Sequence, residues 1–81
     1  MAIEDLRKKI DGIDARILAL MEERSELSKK IGIVKRKKGI GIKDEKREAE
    51  ILSRLTNKTK LNKKFVRRTF ESIITYCRDN E

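Results

Sequence analysis

Arg24 stands where the pattern around it calls for an apolar side chain. Ile3, Leu6, Ile10, Ile13, Ile17, Leu20, Leu27, Ile31 and Val34 recur at gaps of three and four, the signature of one stripe along a single helix. Arg24 fills the register position between Leu20 and Leu27. A guanidinium on a face meant for burial is costly unless an anion meets it. Lys35 lies eleven residues further on, about 16 Å along a helix axis and turned onto a neighbouring face. With side chains reaching on the order of 6 Å, both cations can touch one small dianion lying between them. Arg7, beside the same stripe, is about 25 Å from Arg24, too far for a small ligand to bridge. In an antiparallel pair of such helices, Arg7 of one copy approaches Arg24 of the other. Dimerisation then creates two equivalent sites, each lined by both chains.

Asp44, Arg47 and Glu48 fall within one turn of the start of a second helix. Free N–H groups there can hold a ligand oxygen, and Glu48 offers an acceptor for a hydroxyl. The pattern therefore suits an anion that also carries a hydroxyl donor. The chain has no histidine, and its one thiol, Cys77, sits on an inward face with no base nearby. Triads, zinc sites of cysteine or histidine, and phosphate loops all lack their parts. An enzyme built from these residues works by holding its substrate and by electrostatics. Each residue also has a plainer reading. Arg24 can snorkel, with its stem on the stripe and its head in water. Arg7, Lys35, Arg47 and Glu48 can be solvated surface charges, Asp44 a helix cap, Cys77 a packing residue and Glu81 a frayed end.

The elements that must position these groups are three helices. The first is expected from Ala2 or Ile3 to about Arg36, with Glu4 and Asp5 at its positive end and Lys35 to Lys38 at its negative end. Gly39-Ile40-Gly41 breaks it, and Ile42 tucks inward. The second starts at a capping Asp44, carries Ile51, Leu52 and Leu55, and ends around Thr56-Asn57. The third starts near Asn62 and turns Phe65, Val66, Thr69, Phe70, Ile73, Ile74 and Cys77 inward; continuing the Val66–Phe70–Ile73–Cys77 line leads to Glu81. Gly12 and Gly32 fall off the apolar stripe and cost the first helix about 1 kcal/mol each. A first helix of about 50 Å cannot be wrapped by so short a remainder, since a compact chain of this length has a radius of gyration of about 12 Å. A homodimer is expected.

Composition bounds the rest. With 81 residues, 44% of them charged, three aromatic rings and no proline, the chain reads as one all-α domain over residues 1–81. A net charge of +8 attracts something negative without saying whether it is nucleic acid, an acidic membrane or a small carboxylate or phosphate compound. One cysteine rules out an internal disulfide, and neither a signal-peptide pattern nor a membrane-spanning apolar run occurs. A cytoplasmic protein with no membrane association is expected.

Leu6-Arg7-Lys8-Lys9-Ile10-Asp11-Gly12-Ile13-Asp14, Leu20-Met21-Glu22-Glu23-Arg24, Ile31-Gly32-Ile33-Val34-Lys35 and Asp44-Glu45-Lys46-Arg47-Glu48, in that order, resemble the all-helical (AroQ) class of chorismate mutases. The resemblance covers essentially the whole chain. It implies an intertwined homodimer of three-helix chains that rearranges chorismate to prephenate, in phenylalanine and tyrosine biosynthesis, with no cofactor and no covalent intermediate. It further implies that Arg24 and the partner copy's Arg7 grip two carboxylates, and that Lys35 donates to the ether oxygen. Glu48 and the backbone of Asp44 take the ring hydroxyl, while Arg47 helps hold the carboxylate and ether end. Cys77 aligns with a family serine that holds a carboxylate, and a thiol is the poorer donor. Glu81 aligns with a family glutamine that donates to the ether oxygen. An ionised glutamate cannot donate, so activity is expected to rise as pH falls from about 8 towards 5.

Three other functions compete. A basic helical dimer could bind nucleic acid through Lys35–Lys38 and Arg67-Arg68, although no DNA-reading motif occurs and the costliest charge, Arg24, faces inward. A coiled-coil scaffold is disfavoured by an arginine in mid-stripe. An isochorismate–pyruvate lyase shares the fold that the resemblance implies, and the Asp44, Arg47, Glu48 set favours the mutase over it.

Overall fold

A computed structural model describes residues 2–81. They form three helices, α1 (Ile3–Lys38), α2 (Glu45–Lys58) and α3 (Lys63–Asp79), with no strand among the described residues. Sequence reading and structure agree on the start of each helix and on the ends of α1 and α2 to within two residues. The largest difference is the end of α1, which continues past Arg36 to Lys38. Gly39 stops it by adopting the left-handed conformation at φ 67°. Its N–H reaches the Arg36 carbonyl at 3.3 Å and the Ile40 N–H reaches the Lys35 carbonyl at 2.9 Å. This pair of bonds satisfies carbonyls that the helix end would otherwise orphan, and glycine carries no Cβ penalty there.

Side-chain caps start the other two helices. The Arg47 N–H donates to Asp44 Oδ1 at 3.0 Å, and the Phe65 N–H donates to Asn62 Oδ1 at 3.0 Å. Between α1 and α2 the chain is pinned by Lys35, whose Nζ donates to the Ile42 carbonyl at 2.6 Å. Ile42 is half-buried, turned towards the body of the fold as expected.

α3 is the element on which the others rest. It packs on both α1 and α2, while no Cα of α1 comes within 8 Å of one in α2. The core is correspondingly small, formed by Ile51 of α2 with Val66, Ile74 and Cys77 of α3. Phe70 and Ile73 are half-buried. Phe65 and Thr69 do not turn inward as their spacing suggested: Phe65 is 56% exposed, and the Thr69 hydroxyl donates back to the Phe65 carbonyl at 2.8 Å. They lie about 100° round the helix from Val66 and Phe70, just outside the face that α1 and α2 cover.

Most of the α1 stripe meets nothing in the single chain. Ile3, Ile10, Ile13, Ile17 and Leu20 are all between 48% and 64% exposed. The molecule measures 55 × 24 × 15 Å with a radius of gyration of 15.9 Å, against about 12 Å for a compact chain of this length. Among the described residues, no helix is long and apolar enough to cross a membrane.

Candidate active site

The second half of α1, the start of α2 and the end of α3 enclose a cleft of about 420 Å³, within the range that holds one small molecule. Leu27, Ile31, Ile42, Ile51 and Ile74 give it apolar walls. Arg24, Lys35, Asp44, Arg47, Glu48, Cys77 and Glu81 all line it, joined by Ser28 and Arg78. These groups come from three elements separated by up to 57 positions in the chain. The side chains around the cleft carry four cations and three carboxylates, an excess of one positive charge.

Arg24 is half-buried, and among the described residues no carboxylate lies within 4 Å of its guanidinium. It is a cation in an apolar-walled cleft with its charge unanswered, the arrangement that favours an anionic ligand. Lys35 differs. Its side chain is 19% exposed, and Nζ lies 3.4 Å from Glu81 Oε2 as well as bonding the Ile42 carbonyl. Arg47 lines the cleft wall, but its Nη1 turns along α2 to donate to Glu50 Oε1 at 2.7 Å. Asp44 faces the cleft as the cap of α2. Arg7 lies outside the cleft, donating to Glu4 at 3.4 Å on the free arm of α1 with its side chain 69% exposed.

Glu81 is enclosed, its side chain only 7% exposed. Oε1 accepts from the Ser28 hydroxyl at 3.3 Å and Oε2 from Lys35, while Arg36 Nη1 donates to its main-chain oxygen at 2.8 Å. A polar cradle, and not a purely apolar one, therefore surrounds this carboxylate. The cradle depends on Gly32. A Cβ at that position would lie 2.7 Å from the main-chain oxygen of Glu81 and 2.8 Å from its Cβ, distances that real contacts do not show. The glycine that weakens α1 locally is what lets the end of α3 close onto it. Gly32→Ala is accordingly expected not to raise the midpoint of urea unfolding, despite the roughly 1 kcal/mol that alanine adds to a helix. A raised midpoint would mean that Glu81 moves aside without cost.

Glu48 is not a free carboxylate. Arg78 Nη1 donates to both of its oxygens at 2.9 Å, tying the start of α2 to the end of α3. The hydrogen bond and the charge of Glu48 raise the Arg78 pKa further above its already high value, so the guanidinium stays charged. Sequence reasoning missed Ser28 and Arg78 in the cleft lining, and Gly32 and Arg36 in the cradle around Glu81. Only Gly32 and Ser28 left a trace, four residues apart on one face of α1. Cys77 is buried, and its carbonyl accepts from Ser28 at 3.3 Å.

Three helices around one small-molecule-sized cleft lined by charged side chains define the class to which this chain belongs, an all-helical one. The chain belongs to the chorismate mutase type II family, whose pattern it matches over residues 6–81. Over 53 residues, 65% of its length, it is 43% identical to a chorismate mutase of Methanocaldococcus jannaschii. The same extent is 43% identical to the bifunctional chorismate mutase/prephenate dehydratase of Aquifex aeolicus. The matched stretch covers 54% of the first relative and 15% of the second. The fold superposes on the solved structure of chorismate mutase from Thermus thermophilus with a TM-score of 0.87 and 34% identity, covering 93% of this chain and 96% of that one.

Proposed function

We propose that this protein is a chorismate mutase that converts chorismate to prephenate, within the synthesis of phenylalanine and tyrosine, by conformational restriction and electrostatic stabilisation. The unanswered guanidinium of Arg24, in a cleft shared with Lys35, Glu48 and Glu81, carries the proposal. Family membership and the chorismate mutase activity of the relatives support it. The reaction is a rearrangement within one substrate, so the site needs no nucleophile. Clamping the two carboxylates selects the compact diaxial conformer, and cations at the ether oxygen stabilise charge that grows only in the transition state. Arg24 holds one carboxylate, with Arg47 and the weak thiol donor of Cys77 beside it. Lys35 and Glu81 face the ether oxygen. Glu48 and the backbone at Asp44 take the ring hydroxyl. No cofactor takes part.

The second carboxylate requires Arg7 from another copy of the chain. Its place on an arm of α1 whose apolar stripe is about half exposed supports an intertwined homodimer. If two α1 helices cross antiparallel near residues 15 and 16, Arg7 of each copy comes level with Arg24 of the other. Each cleft then gains a charge, matching a dianion. We expect twice the 9.5 kDa chain mass in sedimentation equilibrium. Ile13→Asp, which puts a charge on the stripe, is expected to give monomers with at least a hundredfold lower activity, from the unfavourable burial of an unpaired carboxylate. A monomeric wild-type chain with full activity would refute the shared site.

The activity is tested by following loss of chorismate absorbance and identifying the product. Prephenate supports the mutase. Release of pyruvate from isochorismate would instead make the chain a lyase. Inertness toward both, with steeply salt-dependent binding of nucleic acid, would replace the enzyme by a basic helical dimer. A reducing, cytoplasmic setting suits the unpaired Cys77 thiol.

A further inference from the structure

Two of the arginines lining the cleft, Arg24 and Arg78, have opposite surroundings. Arg24 has no carboxylate within 4 Å among the described residues, whereas Arg78 is held from two sides. Its Nη1 donates to both oxygens of Glu48 at 2.9 Å, and its Nε lies 3.6 Å from Asp79 Oδ1. A guanidinium already matched by two carboxylates has little charge left for an anionic ligand. What it does have is a fixed grip on Glu48 across thirty positions of sequence, with both side chains 22% exposed.

An ionised carboxylate has about four lone-pair directions. Arg78 occupies one on each oxygen, which leaves the others to an incoming hydroxyl and stops the side chain from turning out to solvent. The position also matters. Glu48 sits in the first turn of α2, opposite the last turn of α3, so without a tether its rotamers are limited only by the rim of the cleft.

We propose that Arg78 is a positioning residue that aims Glu48 into the cleft and so sets its preference for an anion bearing a hydroxyl. Arg78 acts through Glu48 and does not itself bind the substrate. The inference rests on the mutase reading, in which that hydroxyl is the ring hydroxyl of chorismate.

The test is a double-mutant cycle on chorismate turnover with Arg78→Met and Glu48→Ala, plus Arg78→Lys, each variant first checked for helix content and melting. Arg78→Met is expected to raise KM about tenfold with kcat changed less than threefold, the result of losing ground-state and transition-state binding alike. Arg78→Lys, which keeps a donor and a charge, is expected to recover most of that loss. In the Glu48→Ala background, Arg78→Met is expected to cost less than twofold, because the group it positions is gone. Equal losses in both backgrounds, or a lysine variant as poor as the methionine one, would overturn the proposal. Should Arg78→Met fail to fold, Arg78→Gln takes its place in the same cycle with the same criteria. A wild-type chain that makes no prephenate overturns the functional reading and this inference together; an active wild type with additive losses overturns the inference alone.

Discussion

Replacing Arg24 with alanine is expected to lower kcat/KM for chorismate by about 10³-fold, about 4 kcal/mol of transition-state stabilisation, with helix content unchanged. The size follows from the environment of the side chain. Arg24 is half-buried in a cleft whose walls include Leu27, Ile31 and Ile51, and among the described residues no carboxylate lies within 4 Å of its guanidinium. A cation fixed in such a place is worth more to a bound carboxylate than the same cation in water, and it needs no rearrangement at the moment of reaction. Alanine also relieves the folded chain of an unmatched charge, so thermal stability is expected to hold or rise. Loss of activity without loss of stability separates a ligand-facing arginine from a structural one. Arg24→Lys keeps the charge but not the planar fork, and an intermediate rate is expected. A variant with alanine that turns over nearly as fast as the wild type would remove Arg24 from the site.

Glu81→Gln is the second large effect. An ionised carboxylate only accepts hydrogen bonds, and that of Glu81 lies 3.4 Å from Lys35 Nζ, the cation meant for the ether oxygen. A glutamine at this position offers a donor and does not compete for Lys35 as an anion. Glu81→Gln is therefore expected to raise kcat/KM for chorismate about tenfold at neutral pH. A variant no faster than the wild type would mean that the Glu81 carboxylate does not oppose the charge that grows at the ether oxygen.

Local patterns carried the fold. Helical periodicity to Val34, the glycine after Lys38, and the polar residues Asp44 and Asn62 are short-range signals, and they place the starts of all three helices and the ends of the first two within two residues. The same periodicity exposed Arg24, because a charge in an apolar register stands out from sequence alone. Tertiary structure decided which neighbours each polar group has. Glu48 and Arg78 are thirty positions apart, and Gly32 and Glu81 forty-nine, so no helical period relates them. Phe65 shows the limit from the other side: its spacing is right for an inward position, but α1 and α2 cover a narrower face than α3 offers. Spacing along a helix fixes which residues share a face, since rise and turn are constants of the backbone. Which groups face one another across a cleft depends on how helices dock, a property of packed surfaces and not of any stretch of chain.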